Sequence, residues 1–191
     1  MDNHYNHFKK IDAHSHIGKF GSPFNIDFDL QRLMEQMETY NIEKTILCPA
    51  GCHLNEELKD AYQAAPDKIL PLCWVNANEG QEAYDMLEHY LRDENFAGIK
   101  MQPLFDAFTA DSPMVDPIME IAEAYQKPVF IHCGHPPYSL PWQIGLLAER
   151  HPHVPTVMIH MGHGHGVYIE GSLNMAYKYD NLFLEVSGMP M

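Results

Sequence analysis

The 191-residue chain is short of positive charge. Its 12 lysines and arginines stand against 26 aspartates and glutamates, a formal net charge of −14. This balance argues against nucleic acid or an anionic membrane surface as a partner, because both are held by basic patches. A small anionic substrate stays compatible, since the field at one site can oppose the global charge. No apolar run approaches the about 18 residues of a membrane helix. The start, Met1-Asp-Asn-His-Tyr-Asn-His, lacks the basic-then-apolar order of a secretory signal. Cysteine is sparse: Cys48, Cys52, Cys73 and Cys133 are scattered, with no Cys-x-x-Cys pair. Three of them fall in apolar, strand-like runs, which reads as buried thiols of a reducing cytoplasm. No Gly-x-Gly-x-x-Gly follows the first strand, so a dinucleotide-binding sheet has no support.

What the chain does have is rhythm. Apolar, strand-like runs are expected at about 10–17, 44–50, 69–77, 96–103, 128–134, 156–162 and 181–188. Helices are expected between them. The first covers about 27–40, with Leu30, Leu33, Met34 and Met37 on one stripe. The next starts at an Asn55 cap and ends near Pro66, and another covers 80–92 with Ala83, Leu87, Tyr90 and Leu91 inward. A fourth runs from an Asp116 cap, with Pro117 at its first position, to about Gln126; two more cover 142–150 and 167–178. Seven units of roughly 25–35 residues, without a linker or composition break, make one domain over 1–191. The strands read as runs buried on both faces of a parallel sheet. A TIM-type barrel is the expected fold and an open doubly wound sheet the runner-up. A closed barrel needs an eighth strand, which by this spacing would begin after about residue 205, so the barrel is expected to be truncated after strand seven. Its open edges, on strands one and seven, invite a homo-oligomer.

The chemistry is expected at the strand ends. The segment Ile11-Asp-Ala-His-Ser-His-Ile-Gly18 closes the first strand on two histidines. Residues two apart on a strand share a face, so His14 and His16 project side by side, roughly 6.5–7 Å apart at Cα. Two such imidazoles can hold one divalent ion. Lys100 ends the fourth strand, His132 the fifth and His160 the sixth. Any one of these histidines alone reads as a hydrogen-bonded core residue. Four at the same end of successive strands read as a metal site, because an unpaired buried ring carries a desolvation cost. His53, His135, His163 and His165 lie on loops, where a site-facing and a solvent-facing reading are both open; His4 and His7 read as solvent-exposed.

As an ordered set over about residues 10–188, Ile-Asp-Ala-His14-Ser-His16, Gly98-Ile-Lys100, Ile131-His132-Cys-Gly, Ile159-His160-Met-Gly and Leu184-Glu-Val-Ser187-Gly resemble the amidohydrolase superfamily of metal-dependent barrels. The closer likeness is to the amidohydrolase-2 group, which includes aminocarboxymuconate-semialdehyde decarboxylase. The resemblance implies that His14, His16 and His132 bind a divalent metal, most often Zn2+. It implies that His160 contacts the metal-bound water or the substrate, or ligates a second metal. Lys100 either holds an anionic substrate group or, carbamylated, bridges two ions; the first is the commoner arrangement in this group. His135 is a substrate-contact candidate. The family's strand-eight aspartate, a ligand and general base, has no counterpart in 1–191, and Glu185 sits on strand seven. Three functions follow as expectations. One is hydrolysis of an amide, ester or lactone of a small, carboxylate-bearing substrate. The second is decarboxylation by a lyase of the same group. The third is metal binding without catalysis.

Overall fold

A computed structural model describes residues 7–22, 25–163 and 166–188. His4 and His165 lie outside the described residues. The chain forms two compact units that meet in sequence between Trp74 and Val75.

The first unit holds β1 (Lys10–Phe20), β2 (Ile26–Phe28), α1 (Leu30–Thr39), β3 (Ile42–Pro49), α2 (Asn55–Ala64) and β4 (Ile69–Trp74). Its strand order is β2-β1-β3-β4, parallel except for the β1–β2 pair. The short β2 lies where the sequence placed the first turn of a helix. Gly18–Phe20 offer ladder partners to Ile26–Phe28, so those residues close a hairpin. The helix starts only after Asp29, whose carboxylate accepts a hydrogen bond from Arg32 N at 2.9 Å as an N-cap. Leu33 and Met37 of the expected stripe are buried.

β1 departs from the expected fully buried strand: only His14 and Ile17 are buried along it, and Ile11 is 64% exposed. Among the described residues, Lys10–Ile17 form ladder pairs on one side only, with β3.

Asn55 does not cap α2. It is the first helical residue, the cap position being Leu54, and its side chain is buried. Its amide donates to Cys52 O and Trp74 O, and its Oδ1 accepts from Trp74 N at 2.9 Å. The end of β4 takes this side chain because Trp74's backbone groups are buried and need partners. Asn55→Ala leaves them unsatisfied and should cost the protein about 1–3 kcal/mol. Denaturant unfolding followed at two tryptophan wavelengths checks this; an unchanged midpoint would remove Asn55 from the interior network.

The second unit holds α3 (Gln81–Arg92), β5 (Gly98–Met101), α4 (Pro103–Asp106), α5 (Asp116–Ala124), β6 (Val129–His132), α6 (Pro141–Arg150), β7 (Thr156–Ile159), α7 (Gly166–Lys178) and β8 (Leu182–Leu184), with short 3₁₀ turns at Ala77–Glu79, Pro113–Val115 and His160–Gly162. Its order is β5-β6-β7-β8, all parallel. All residues of β5 and β6 are buried, as strands covered on both faces should be. β8 differs, with Phe183 51% exposed. The inward positions of α3 are the expected Ala83, Leu87, Tyr90 and Leu91. Asp116 is not the cap of α5, since Val115 holds that position. Its carboxylate is drawn instead into bonds from Arg150 at 2.8 Å and His151 at 2.9 Å on α6 and its end. Burial raises the Asp116 pKa, and these two partners more than offset that, leaving it below its ordinary value.

His160 was expected inside the sixth strand. β7 stops at Ile159, and His160 opens the 3₁₀ turn. The backbone has positive φ at His160 (66°), Met161 (30°), Gly162 (98°) and His163 (53°). Non-glycine residues rarely occupy that region, and such runs persist only where their surroundings over-determine them.

Candidate metal centre

Each unit gathers its own histidines. In the first, the ladder slips between Asp12 and Ser15: these residues face Thr45 and Leu47, so β1 holds one residue more than β3. His14 lies in this bulge, and a bulge re-aims a side chain. Its backbone N–H turns to Asp12 Oδ1 at 3.2 Å. The rings of His14 and His16 meet edge to face, 4.8 Å apart between centroids. His16 Nδ1 lies 3.0 Å from Pro49 O. A carbonyl only accepts, so Nδ1 carries the proton and Nε2 keeps its lone pair, the state a metal ligand needs. Cys48 stands in register with His16, and its Sγ lies within 4.8 Å of a ring nitrogen of each histidine.

In the second unit, His132 ends β6, and its ring lies 4.8 Å from that of His160, 4.9 Å from that of His135 and 5.4 Å from that of His163. Nitrogens of His132, His160 and His163 lie within 4.8 Å of one another. Two glycines make this crowding feasible. Gly134 (φ 101°) and Gly162 (φ 98°) pass so close that a Cβ on Gly134 would sit 2.5 Å from the Gly162 carbonyl carbon and 2.8 Å from His163 Cβ. The two strand-end turns thus touch through backbone, which carries His163 to His135, 4.5 Å between rings.

His160 is held from behind. Its Nδ1 lies 2.6 Å from Ser187 O, so this ring too donates from Nδ1 and presents Nε2. Buried Glu185 accepts from His160 N at 3.2 Å, from Ser187 N and from Ser187 Oγ at 2.8 Å, tying the turn after β7 to the end of β8. Burial, reinforced by Lys100, His160 and the loop histidines, holds the His132 imidazole far below its usual pKa. Burial likewise lowers His160, against the Ser187 carbonyl bond, which raises it. Both rings are therefore neutral at neutral pH. Lys100 is fully buried within β5.

These donors fit a divalent cation. Neutral imidazoles with Nδ1 fixed by carbonyls are its ordinary ligands. Buried His132 Nε2 has no hydrogen-bond partner among the described residues.

The expected residues are thus found in two clusters, His14 with His16, and His132 with His160 and His135. His53 is exposed and joins neither. A cleft of about 600 Å³ in the first unit, lined by Lys19, Asp27, Glu57 and Asp60 among others, contains none of the histidines. Four residues carry more than the sequence reading assigned them: Cys48, His163, Glu185 and Ser187. For Glu185 a signal was present, an acid within an apolar strand-end run. His163 stood among the loop histidines whose site-facing reading was open, and the approach of two turns brings it in; for Cys48 there was no signal, because its position follows from strand register.

Among the described residues, no helix is long and apolar enough to cross a membrane. No curated protein matches the chain. Among solved structures it is similar to an uncharacterised TIM-barrel protein from Bordetella bronchiseptica, with 17% identity over 94% of this chain and 75% of that one and a TM-score of 0.77. It is also similar to 5-carboxyvanillate decarboxylase from Novosphingobium aromaticivorans, complexed with manganese and 4-hydroxy-3-methoxy-5-nitrobenzoic acid (14% identity, 94% and 74% covered, TM-score 0.69). A third is 2,6-dihydroxybenzoate decarboxylase from Rhizobium (16%, 81% and 67%, TM-score 0.62). At these identities the likeness is one of fold, an α/β arrangement of parallel strands of the TIM-barrel type. An amidohydrolase family model of the amidohydrolase-2 type matches residues 11–191. Matched over nearly its whole length, the chain belongs to the amidohydrolase family.

Proposed function

We propose that this chain is a metal-dependent hydrolase acting on an amide, ester or lactone bond of a small, carboxylate-bearing substrate. His14, His16 and His132 are the proposed metal ligands, with zinc the ion that best suits imidazole donors. A divalent ion, when bound, supplies Lewis acidity to a substrate carbonyl. The remaining roles belong to the protein. His160 is the proposed catalytic residue: it takes up a proton at Nε2, and the bond from Nδ1–H to Ser187 O keeps the ring in the required tautomer. Glu185 and Ser187 position it. Lys100 is the proposed anchor of the substrate carboxylate, and His135, stacked on His132 at 14° between planes, lines the approach. The observation that carries this reading is the cluster at the ends of β6 and β7, where the rings of buried His132 and half-buried His160 lie 4.8 Å apart and His160 Nδ1 is committed to Ser187 O, with Lys100 buried on the neighbouring β5.

Decarboxylation is the second reading. Buried Lys100 would hold a carboxylate at the reacting position, and two of the structures with this fold are decarboxylases. One experiment separates the readings. Protein purified without chelator is assayed for metal by elemental analysis and screened against carboxylate-bearing amides, esters and lactones, and against unsaturated and aromatic carboxylic acids. Expected are about one ion per chain, loss of that ion in His14→Ala/His16→Ala, and hydrolysis that stops on chelation. Released carbon dioxide without hydrolysis would select the lyase. Bound metal with neither product would leave a non-catalytic metal-binding protein.

A further inference from the structure

We infer that Cys48 is a metal ligand beside His14 and His16, and that its thiolate gives this site a preference for zinc over manganese. The inference rests on the metal-dependent reading above and goes beyond its all-imidazole donor set.

Three observations within the first unit place the sulfur. Cys48 and His16 are partners in the parallel β1–β3 ladder. Paired residues of a ladder project to the same face, so the thiol and the imidazole share a side of the sheet. The bulge between Asp12 and Ser15 re-aims His14 towards His16, edge to face at 4.8 Å. One ligand atom from each of the three residues then lies within 4.8 Å of the other two. The next residue, Pro49, supplies the carbonyl that fixes the His16 tautomer. One strand end thus provides both the ring's orienting acceptor and a third donor.

Cys133 and Cys73 lack this setting, and Cys52, whose donor group holds a single imidazole, lies outside the β1–β3 ladder. Cys133 Sγ lies 3.8 Å from Ser172 Oγ on α7, and burial pushes its thiol up to about 11. Cys73 is fully buried on β4 and, among the described residues, is in no such donor group. Cys48 is equally buried, but two imidazoles stand beside it.

Binding exchanges the S–H bond for a sulfur–metal bond and releases that proton to solvent. Thiolate is a soft donor that suits zinc and cobalt, whereas manganese favours oxygen ligands.

The test is reconstitution of the full chain, stripped of metal, with Co2+ alone. The expected result is a near-ultraviolet thiolate-to-cobalt charge-transfer band at stoichiometric cobalt. The band is lost in Cys48→Ala and Cys48→Ser and kept in Cys133→Ala. Competition should also show the ratio of zinc to manganese affinity falling in Cys48→Ala. If the Cys48 variants fail to fold, retention of the band in Cys52→Ala, Cys73→Ala and Cys133→Ala assigns it to Cys48. Cobalt bound in stoichiometric amount without the band overturns the role of Cys48 while leaving the metal-dependent reading intact. A band that persists in Cys48→Ala and disappears in Cys133→Ala overturns it as well. A wild-type chain that binds no cobalt at all overturns both.

Discussion

His160→Gln should lower turnover of the metal-loaded protein by about 10²–10⁴-fold, the usual contribution of a positioned proton-transfer group. The loss should fall on kcat, with KM and metal content little changed, because in this reading the ring meets the substrate proton and not the ion. Glutamine keeps much of the volume and the hydrogen-bonding capacity of the ring, so the turn after β7 should retain its shape. What is removed is a lone pair at Nε2 on a ring whose other nitrogen is committed to Ser187 O at 2.6 Å. Glu185→Gln is the companion. It leaves the imidazole in place but weakens the acceptor of three hydrogen bonds, from His160 N, Ser187 N and Ser187 Oγ. It should give a smaller kcat loss, and combined with His160→Gln it should add little, as residues acting as one unit do. Steady-state kinetics with elemental analysis of each variant provides the check. A His160→Gln protein with full kcat would remove the catalytic assignment.

The second large effect is on stability. Gly134→Ala places a Cβ 2.5 Å from the Gly162 carbonyl carbon and 2.7 Å from its oxygen, both backbone atoms that no side-chain rotation relieves. It also puts alanine at φ 101°, outside the regions open to it. Forced positive φ costs about 1–3 kcal/mol, and overpacking typically a further 1–3 kcal/mol. Together, about 2–6 kcal/mol is a large share of the 5–15 kcal/mol that holds an ordinary protein folded. For a chain of this size it corresponds to a melting temperature lower by roughly 5–20 °C. Gly21→Ala, where nothing lies within 4 Å and φ is not positive, is the control and should stay within about 0.5 kcal/mol of wild type. Gly134→Ala melting with the wild type would mean the two turns do not meet through backbone as described. Because Gly162 carries His163, the same substitution should separate His163 from His135 and His132, which histidine NMR shifts would register.

Most of the strands and helices, though not β2 or α4, and the histidines at strand ends were legible from the chain alone. Unbroken apolar runs such as Val129–His132 and the three- and four-residue spacing of Ala83, Leu87 and Tyr90 are local signals, and local chain geometry turns them into strand and helix directly. Within those elements His14, His16, His132 and His160 were marked by type, since imidazole is costly to bury without a task. The details that make a site of them are non-local. The first strand's two-residue period predicted His14 and His16 side by side, yet it is a bulge, a mismatch between β1 and β3, that turns His14. Cys48 reached His16 through strand register, which no single segment encodes. Asn55 and Asp116 had good cap chemistry but were claimed by Trp74 and by Arg150 and His151, because a buried backbone group and a nearby cation outbid the helix end. Glu185 and Ser187 became the support of His160 only when β8 was laid beside β7. Sequence determined which residues were available for the chemistry. Pairing between distant strands and the backbone contact of two glycines decided which of them meet, because those contacts depend on segments far apart in the chain.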